Sequence, residues 1–214
     1  MDVDQKRREL DELKIRVSAI EDQLGSLAPP HWQAQGYYAA YYATTGCLLG
    51  IFAAMVSLLV NVIGAPIAGK NALELIRVYL TFPLGETALK LTEQPGHYAL
   101  DDGVILAIGC CLYLFTGMVL GIPFYLVLTR VGSRYSIIGR LIFASILSFA
   151  LWLFNFYAVL SWLQPMLFGG HWITDPKLLP PWVAAATHLV FGWTMALLYP
   201  LGEYIPYRRP TEVS

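Results

Sequence analysis

The residues able to do chemistry in this chain are few, and they stand in or beside long apolar stretches. They are the histidines His97, His171 and His188, the amides Asn61, Asn155 and Gln164, and the carboxylate Glu203. A titratable or strongly polar side chain is costly to hold in hydrocarbon, so each is a functional candidate on that ground alone. His188 is foremost. It falls one to two turns inside the last apolar stretch, where a neutral imidazole nitrogen can ligate a metal or a haem iron. His97 and His171 are the partners such a metal or haem site would draw on. Neither has ligand spacing to a second histidine, and no CxxCH haem-attachment sequence occurs. A histidine hydrogen-bonded to a neighbouring helix is therefore the more economical reading of His188. His97 and Asp101 are four apart and share a helical face, but an acid at a helix start is already explained by capping. No cofactor is expected on these grounds.

The remaining reactive side chains say less. Cys47, Cys110 and Cys111 all lie in apolar stretches, where a small polarizable side chain serves packing. The vicinal pair lacks the electropositive, exposed setting that reactive thiols need. Asn61 and Asn155 read as interhelical hydrogen bonders, with Asn155 kept as a site candidate because it lies near the middle of its stretch. No Walker loop, HExxH, GxSxG or dinucleotide fingerprint is present, so an enzyme of a familiar soluble mechanism is not expected.

The elements that must position these residues are four runs without Asp, Glu, Lys or Arg: residues 25–69, 103–129, 141–172 and 178–202. Hydrocarbon about 30 Å thick is crossed by a helix of about 20 apolar residues, and each run contains one. The spacing predicts spans over 41–63, 104–128, 141–163 and 182–202. With 57% hydrophobic and 14% charged residues and a mean hydropathy of +0.54, the composition is that of a small all-α bundle in lipid. A net charge of −1 and the lack of a basic stripe argue against nucleic acid as a partner.

Residues 1–28 follow another pattern. Leu10, Leu13, Val17, Ile20, Leu24 and Leu27 are spaced 3, 4, 3, 4, 3, the a and d positions of a heptad seam. In a parallel pair, Glu9 faces Lys14 and Arg16 faces Glu21, both attractive. Residues 1–28 are thus expected to form a coiled-coil stalk, ended by Gly25 and Pro29-Pro30. Residues 29–40 form a hinge whose Trp and Tyr residues suit a membrane interface. The membrane domain is expected over 41–207, with a polar tail over 208–214.

The first connection, 64–103, mixes apolar and charged residues over 72–91. It is expected to hold a helix capped by Asn71, lying at the interface of the first extracytoplasmic loop and ending at Pro83. Asp101 and Asp102 suit the N-terminus of the second span. The short connection 131–139 predicts that spans two and three are antiparallel neighbours. Gly109, Tyr113, Gly117 and Gly121 recur every fourth residue in span two, as do Gly46 and Gly50 in span one. Such spacing lets helix backbones approach closely, more often within a bundle than between chains. The tetrapeptide PLGE occurs at 83–86 and 200–203, read as two helix-ending turns in preference to an inverted transporter repeat.

Ten of the 14 basic residues fall on the side shared by the N-tail, the 129–140 loop and the C-tail. That bias predicts a multi-pass protein of the cell membrane with both termini cytoplasmic. The conspicuous devices all serve association. The functional expectation is a structural or assembly subunit of a larger membrane complex, forming homo-oligomers or docking other membrane subunits through its coiled coil. The alternatives are a haem- or metal-handling redox subunit using His188 with His97 or His171, and a small transporter using Asn155.

Overall fold

A computed structural model describes residues 3–27, 38–67, 74–90 and 99–205. Regular structure in them is helical throughout, with no strand among the described residues. The chain divides into two compact units, one containing the N-terminal helix and the other residues 39–203.

The N-terminal helix, α1 (Val3–Leu27), is built from good helix formers such as Leu, Glu, Lys, Arg and Gln with no proline. Its seam is uncovered: Leu10, Leu13, Val17 and Ile20 are 53%, 58%, 46% and 55% exposed. Lys14 lies 4.0 Å from Asp11 one turn back, an exposed pair of little energetic weight. Leu24 and Leu27 continue the helix. Most of the expected hinge, together with Asn71 and His97, lies outside the described residues.

The second unit holds four helices long and apolar enough to cross a bilayer, over Ala39–Ile67, Leu106–Gly132, Ile137–Phe168 and Pro181–Gly202. They are α2 (Ala39–Ile67), then α5 (Ala99–Gly132) and α6 (Ile137–Leu153), which continues through a π-helical stretch, Phe154–Leu160, into α7 (Ser161–Phe168), and finally α8 (Pro181–Leu198) with a 3-10 turn, Tyr199–Gly202. Between the first two lie α3 (Glu74–Leu84) and α4 (Thr87–Lys90). The predicted spans sit inside these elements, with the third extending five residues further, to Phe168. Pro181 opens α8 at a position where its missing N–H costs nothing. Ser136 caps α6 by accepting from the Gly139 N–H. With α5 beginning at Ala99, Asp101 and Asp102 fall in its first turn, as a helix N-terminus favours.

Lipid removes the hydrophobic drive between helices, so backbone approach and hydrogen bonds must hold the bundle. The glycine series supplies the approach. Gly46 meets Gly121, and Gly50 meets Gly117, so closely that a Cβ at Gly46 would stand 2.7 Å from the Gly121 carbonyl oxygen. This pairs α2 antiparallel to α5. On its other side α2 packs on α8, and α8 packs on α6, where Gly192 accommodates the Ser148 side chain and Trp193 Nε1 donates to Ser145 Oγ at 2.8 Å. Around the bundle the order is α5, α2, α8, α6.

Two contacts lie beyond what the spacing could show. Spans two and three are antiparallel, but they meet chiefly near their connecting loop, where Tyr135 packs on Phe143 and Arg140 lies beside Gly132. A short loop fixes direction, whereas lateral partners are chosen by packing, and α8 packs better against α6. Gly109 does not continue the α2 contact. It faces Ile76 and Leu80 of α3, so one glycine row serves two partners.

α3 accounts for that second partner. The helix expected to end at Pro83 ends at Leu84; its 11 residues are too few to span a bilayer, and a second short helix starts at Thr87. Ile76, Val78, Leu80 and Thr81 are fully or almost fully buried. Ile76 and Leu80 lie in a cluster with Leu58, Val62 and Leu106, whereas Val78 lies with Phe156, Ile173 and Ala184. The helix is a wedge between the α2–α5 pair and the α6–α8 pair at one end of the bundle.

Candidate functional site

The wedge leaves polar side chains facing one another inside the bundle. Ser57 of α2 donates its hydroxyl hydrogen to the Thr187 carbonyl of α8 at 2.9 Å. A serine has one such hydrogen, so in the 2.9 Å contact between Ser57 Oγ and the Tyr113 hydroxyl the tyrosine must be the donor. Three helices are joined through one serine. The Tyr113 oxygen in turn accepts from the Asn61 amide, and Tyr113 packs edge-on against Tyr79 of α3, ring centroids 4.9 Å apart.

His188 of α8 is 7% exposed. Its Nδ1 lies 2.8 Å from the Ala184 carbonyl oxygen, and a carbonyl only accepts, so Nδ1 carries the hydrogen and Nε2 presents a lone pair. The ring stands edge-on to Phe156, centroids 5.8 Å apart. This hydrogen bond to its own helix, rather than to a neighbour, satisfies the polar side of the imidazole.

Tyr113 and His188 line a half-open cleft with Ala54, Tyr79, Thr116, Gly117, Leu120, Leu151, Thr187 and Phe191. Its room is about 30 Å3, enough for roughly two waters. Thr116 and Thr187 spend their hydroxyl hydrogens on the Leu112 and Ala184 carbonyls. Burial, with Tyr113 second, pushes the Tyr79 phenol well above its ordinary range, so it stays protonated. The cleft is uncharged and rich in acceptors.

The other candidates are dispersed. Gln164 is fully buried and acts as a brace: its Nε2 donates to Thr81 Oγ1 at 3.1 Å, and its Oε1 accepts from the Ile173 N–H at 2.9 Å. α3, α7 and the 169–180 connection are joined there. Asn61 donates to the Ser57 carbonyl at 3.1 Å and lies within reach of the Tyr113 hydroxyl, at the edge of the network. Asn155 sits in the π-helical stretch, half-buried, with no side-chain hydrogen bond to another described residue, and it does not line the cleft. His171 is exposed on the connection before α8, and Glu203 is exposed after the last turn. Among the described residues no three His, Cys, Asp or Glu side chains converge. A haem does not fit at His188, because the room beside it is far below the roughly 300 Å3 of the smaller cofactor pockets. The two PLGE segments both terminate helices but differ in geometry. Gly85 turns with φ +60 after α3, whereas Gly202 closes the 3-10 turn against Tyr125 and Thr45.

Ser57, Tyr79, Tyr113, Thr116 and Thr187 were not singled out for chemistry by their types, being common hydroxyl residues. One signal was present: Tyr113 is the large residue that interrupts the small-residue row Gly109, Gly117, Gly121.

Among the described residues, the fold is an all-helical bundle with four helices apolar enough to cross a membrane, a closely packed core and a small, neutral, acceptor-lined recess. No protein-family model matches the chain, and neither a curated protein nor a solved structure is significantly similar to it.

Proposed function

We propose that this protein is a structural or assembly subunit of a larger membrane complex, associating through its N-terminal helix with a second copy of the chain. The observation that carries this reading is the uncovered seam of α1. Leu10, Leu13, Val17 and Ile20 are each about half exposed on a helix whose other faces are mostly polar, with Ile15 the large apolar exception. A polar helix of 25 residues with one apolar stripe gains most of its stability from covering that stripe. The pairs Glu9–Lys14 and Arg16–Glu21 across a parallel interface favour another α1 as the cover. Attachment to a membrane domain raises the local concentration of the helix and strengthens a short seam.

A second support lies in the unequal burial of the spans. In the third, 11% of the apolar stretch is buried inside the unit, and in the fourth 39%, which leaves a broad apolar flank to lipid and neighbouring subunits. We place the protein in the cell membrane with both termini cytoplasmic, on the strength of Arg130, Arg134 and Arg140 in a connection without acids. Reporter fusions at the C-terminus and at residue 175 read that orientation.

The test is light scattering of the full chain in a mild detergent, beside a Leu13→Glu/Ile20→Glu variant and a chain lacking residues 1–28. The wild type is expected as an oligomer and both altered chains as protomers. An unchanged mass in both rejects the reading.

A further inference from the structure

The recess under α3 has an unusual balance of hydrogen-bonding groups. Tyr113 gives its hydrogen to Ser57, Thr116 to Leu112, Thr187 to Ala184, and His188 Nδ1 to Ala184. What remains facing the recess is a pair of acceptors, His188 Nε2 and the Thr116 oxygen, since the Tyr113 oxygen has Asn61 as a donor. Only the Tyr79 hydroxyl keeps an uncommitted hydrogen, since it bonds to no described residue. Neither it nor His188 Nε2 is among the fully enclosed polar atoms without a partner, so both open onto the recess that their side chains line. In a bilayer such acceptors call for a donor, because an unmet polar group at that depth costs more than it would beside water.

The shape narrows the donor's class. Room of about 30 Å3 admits one small polar head and no more. The wall beside the acceptors is apolar, made by Leu120 of α5 and Leu151 of α6. Those two helices touch one another far less than α5 touches α2 or α6 touches α8. A ligand with its head on His188 therefore has an apolar exit between α5 and α6 into lipid. No basic side chain lines the recess, which excludes a phosphate or carboxylate head, and no acid lines it to hold an ammonium.

We propose that this recess binds the hydroxyl group of a membrane-dissolved alcohol, with the O–H donated to His188 Nε2, the Tyr79 hydroxyl donating back to the bound oxygen, and the hydrocarbon body leaving between Leu120 and Leu151. The site is separate from the α1 seam and does not depend on the assembly role. It gives the membrane domain a lipid-responsive element at the junction of α2, α3, α5 and α8.

The test is thermal unfolding of the full chain in dodecylmaltoside with added 1-dodecanol, dodecyl methyl ether or dodecane. The ether has the oxygen without the donated hydrogen, and dodecane has neither. 1-Dodecanol is expected to raise the midpoint by about 3 °C or more, through preferential binding to the folded chain, and the other two by much less. His188→Phe removes the acceptor and is expected to abolish the difference between alcohol and ether. Should that variant not fold, Tyr79→Phe and Thr116→Val, which alter the recess with smaller changes, are expected to reduce the same difference. Equal shifts from alcohol and ether, or an alcohol effect that survives in the folded variants, overturn the proposal. So does the absence of any alcohol effect on the wild type, the outcome expected if water alone serves these acceptors.

Discussion

Tyr113 gives its hydroxyl hydrogen to Ser57 Oγ across 2.9 Å, and Ser57 gives its own to the Thr187 carbonyl, also at 2.9 Å. The direction of the two bonds makes the pair asymmetric. Ser57→Ala strands the Tyr113 hydrogen in the bundle and is expected to cost about 1 to 2 kcal/mol. Tyr113→Phe removes the donor but leaves Ser57 bonded to Thr187, and is expected to cost less. Equilibrium unfolding in mixed micelles measures both, and a costlier Tyr113→Phe would reverse the assigned direction.

The glycine contacts give a second asymmetry. A Cβ at Gly50 would collide with the Gly117 carbonyl, whereas one at Gly64, on the same helix, meets nothing within 4 Å. Gly50→Ala is therefore expected to destabilise by about 1 to 3 kcal/mol through forced separation of α2 and α5. Gly64→Ala is expected to be neutral or to stabilise by up to about 1 kcal/mol, because alanine loses less backbone freedom in a helix. Melting midpoints of the two variants, compared side by side, read the difference.

Gln164 braces three segments with two hydrogen bonds. Gln164→Leu keeps the bulk but leaves the Ile173 N–H without its acceptor, at an expected cost of about 1 to 3 kcal/mol. The loss should be local. Hydrogen exchange is expected to quicken at Ile173 and along α3 while the α2–α5 contact keeps its protection.

Trp152 Nε1 is enclosed and has no hydrogen-bond acceptor among the described residues. Its ring packs with Phe149, Phe156 and Tyr157. Trp152→Phe removes an unmet donor and retains an aromatic ring, so it is expected to be close to neutral despite the lost volume. A loss above about 3 kcal/mol, the size of a large aromatic truncation, would show that packing dominates at this site.

Charge reversal probes the partner of α1. Glu9→Lys sets like charges against Lys14 of a parallel neighbour and is expected to weaken the oligomer. Glu9→Lys/Lys14→Glu restores the attraction and is expected to recover it. Dilution series followed by light scattering report both, and a double variant as weak as the single one argues for a different cover.

The four spans were legible because hydrocarbon demands length and apolarity, properties of consecutive residues. The heptad seam of α1 was legible for a like reason, since its 3, 4 spacing is local. The close approach of Gly46 and Gly50 to Gly121 and Gly117 was visible as small residues every fourth position. The row carried no sign that Gly109 turns to α3 instead, because which neighbour fills a groove depends on the other helices. The 131–139 connection shows the same division. It determined that α5 and α6 run in opposite directions, while the tertiary structure decided that α6 packs along α8. His188 stood out as a titratable group in an apolar run, yet the hydroxyls around its recess come from α2, α3, α5 and α8 and have no common spacing. A sequence specifies periodicity and solvent because these act along the chain. The recess depends on contacts between residues as distant as Ser57 and Thr187, 130 positions apart, and only packing brings them together.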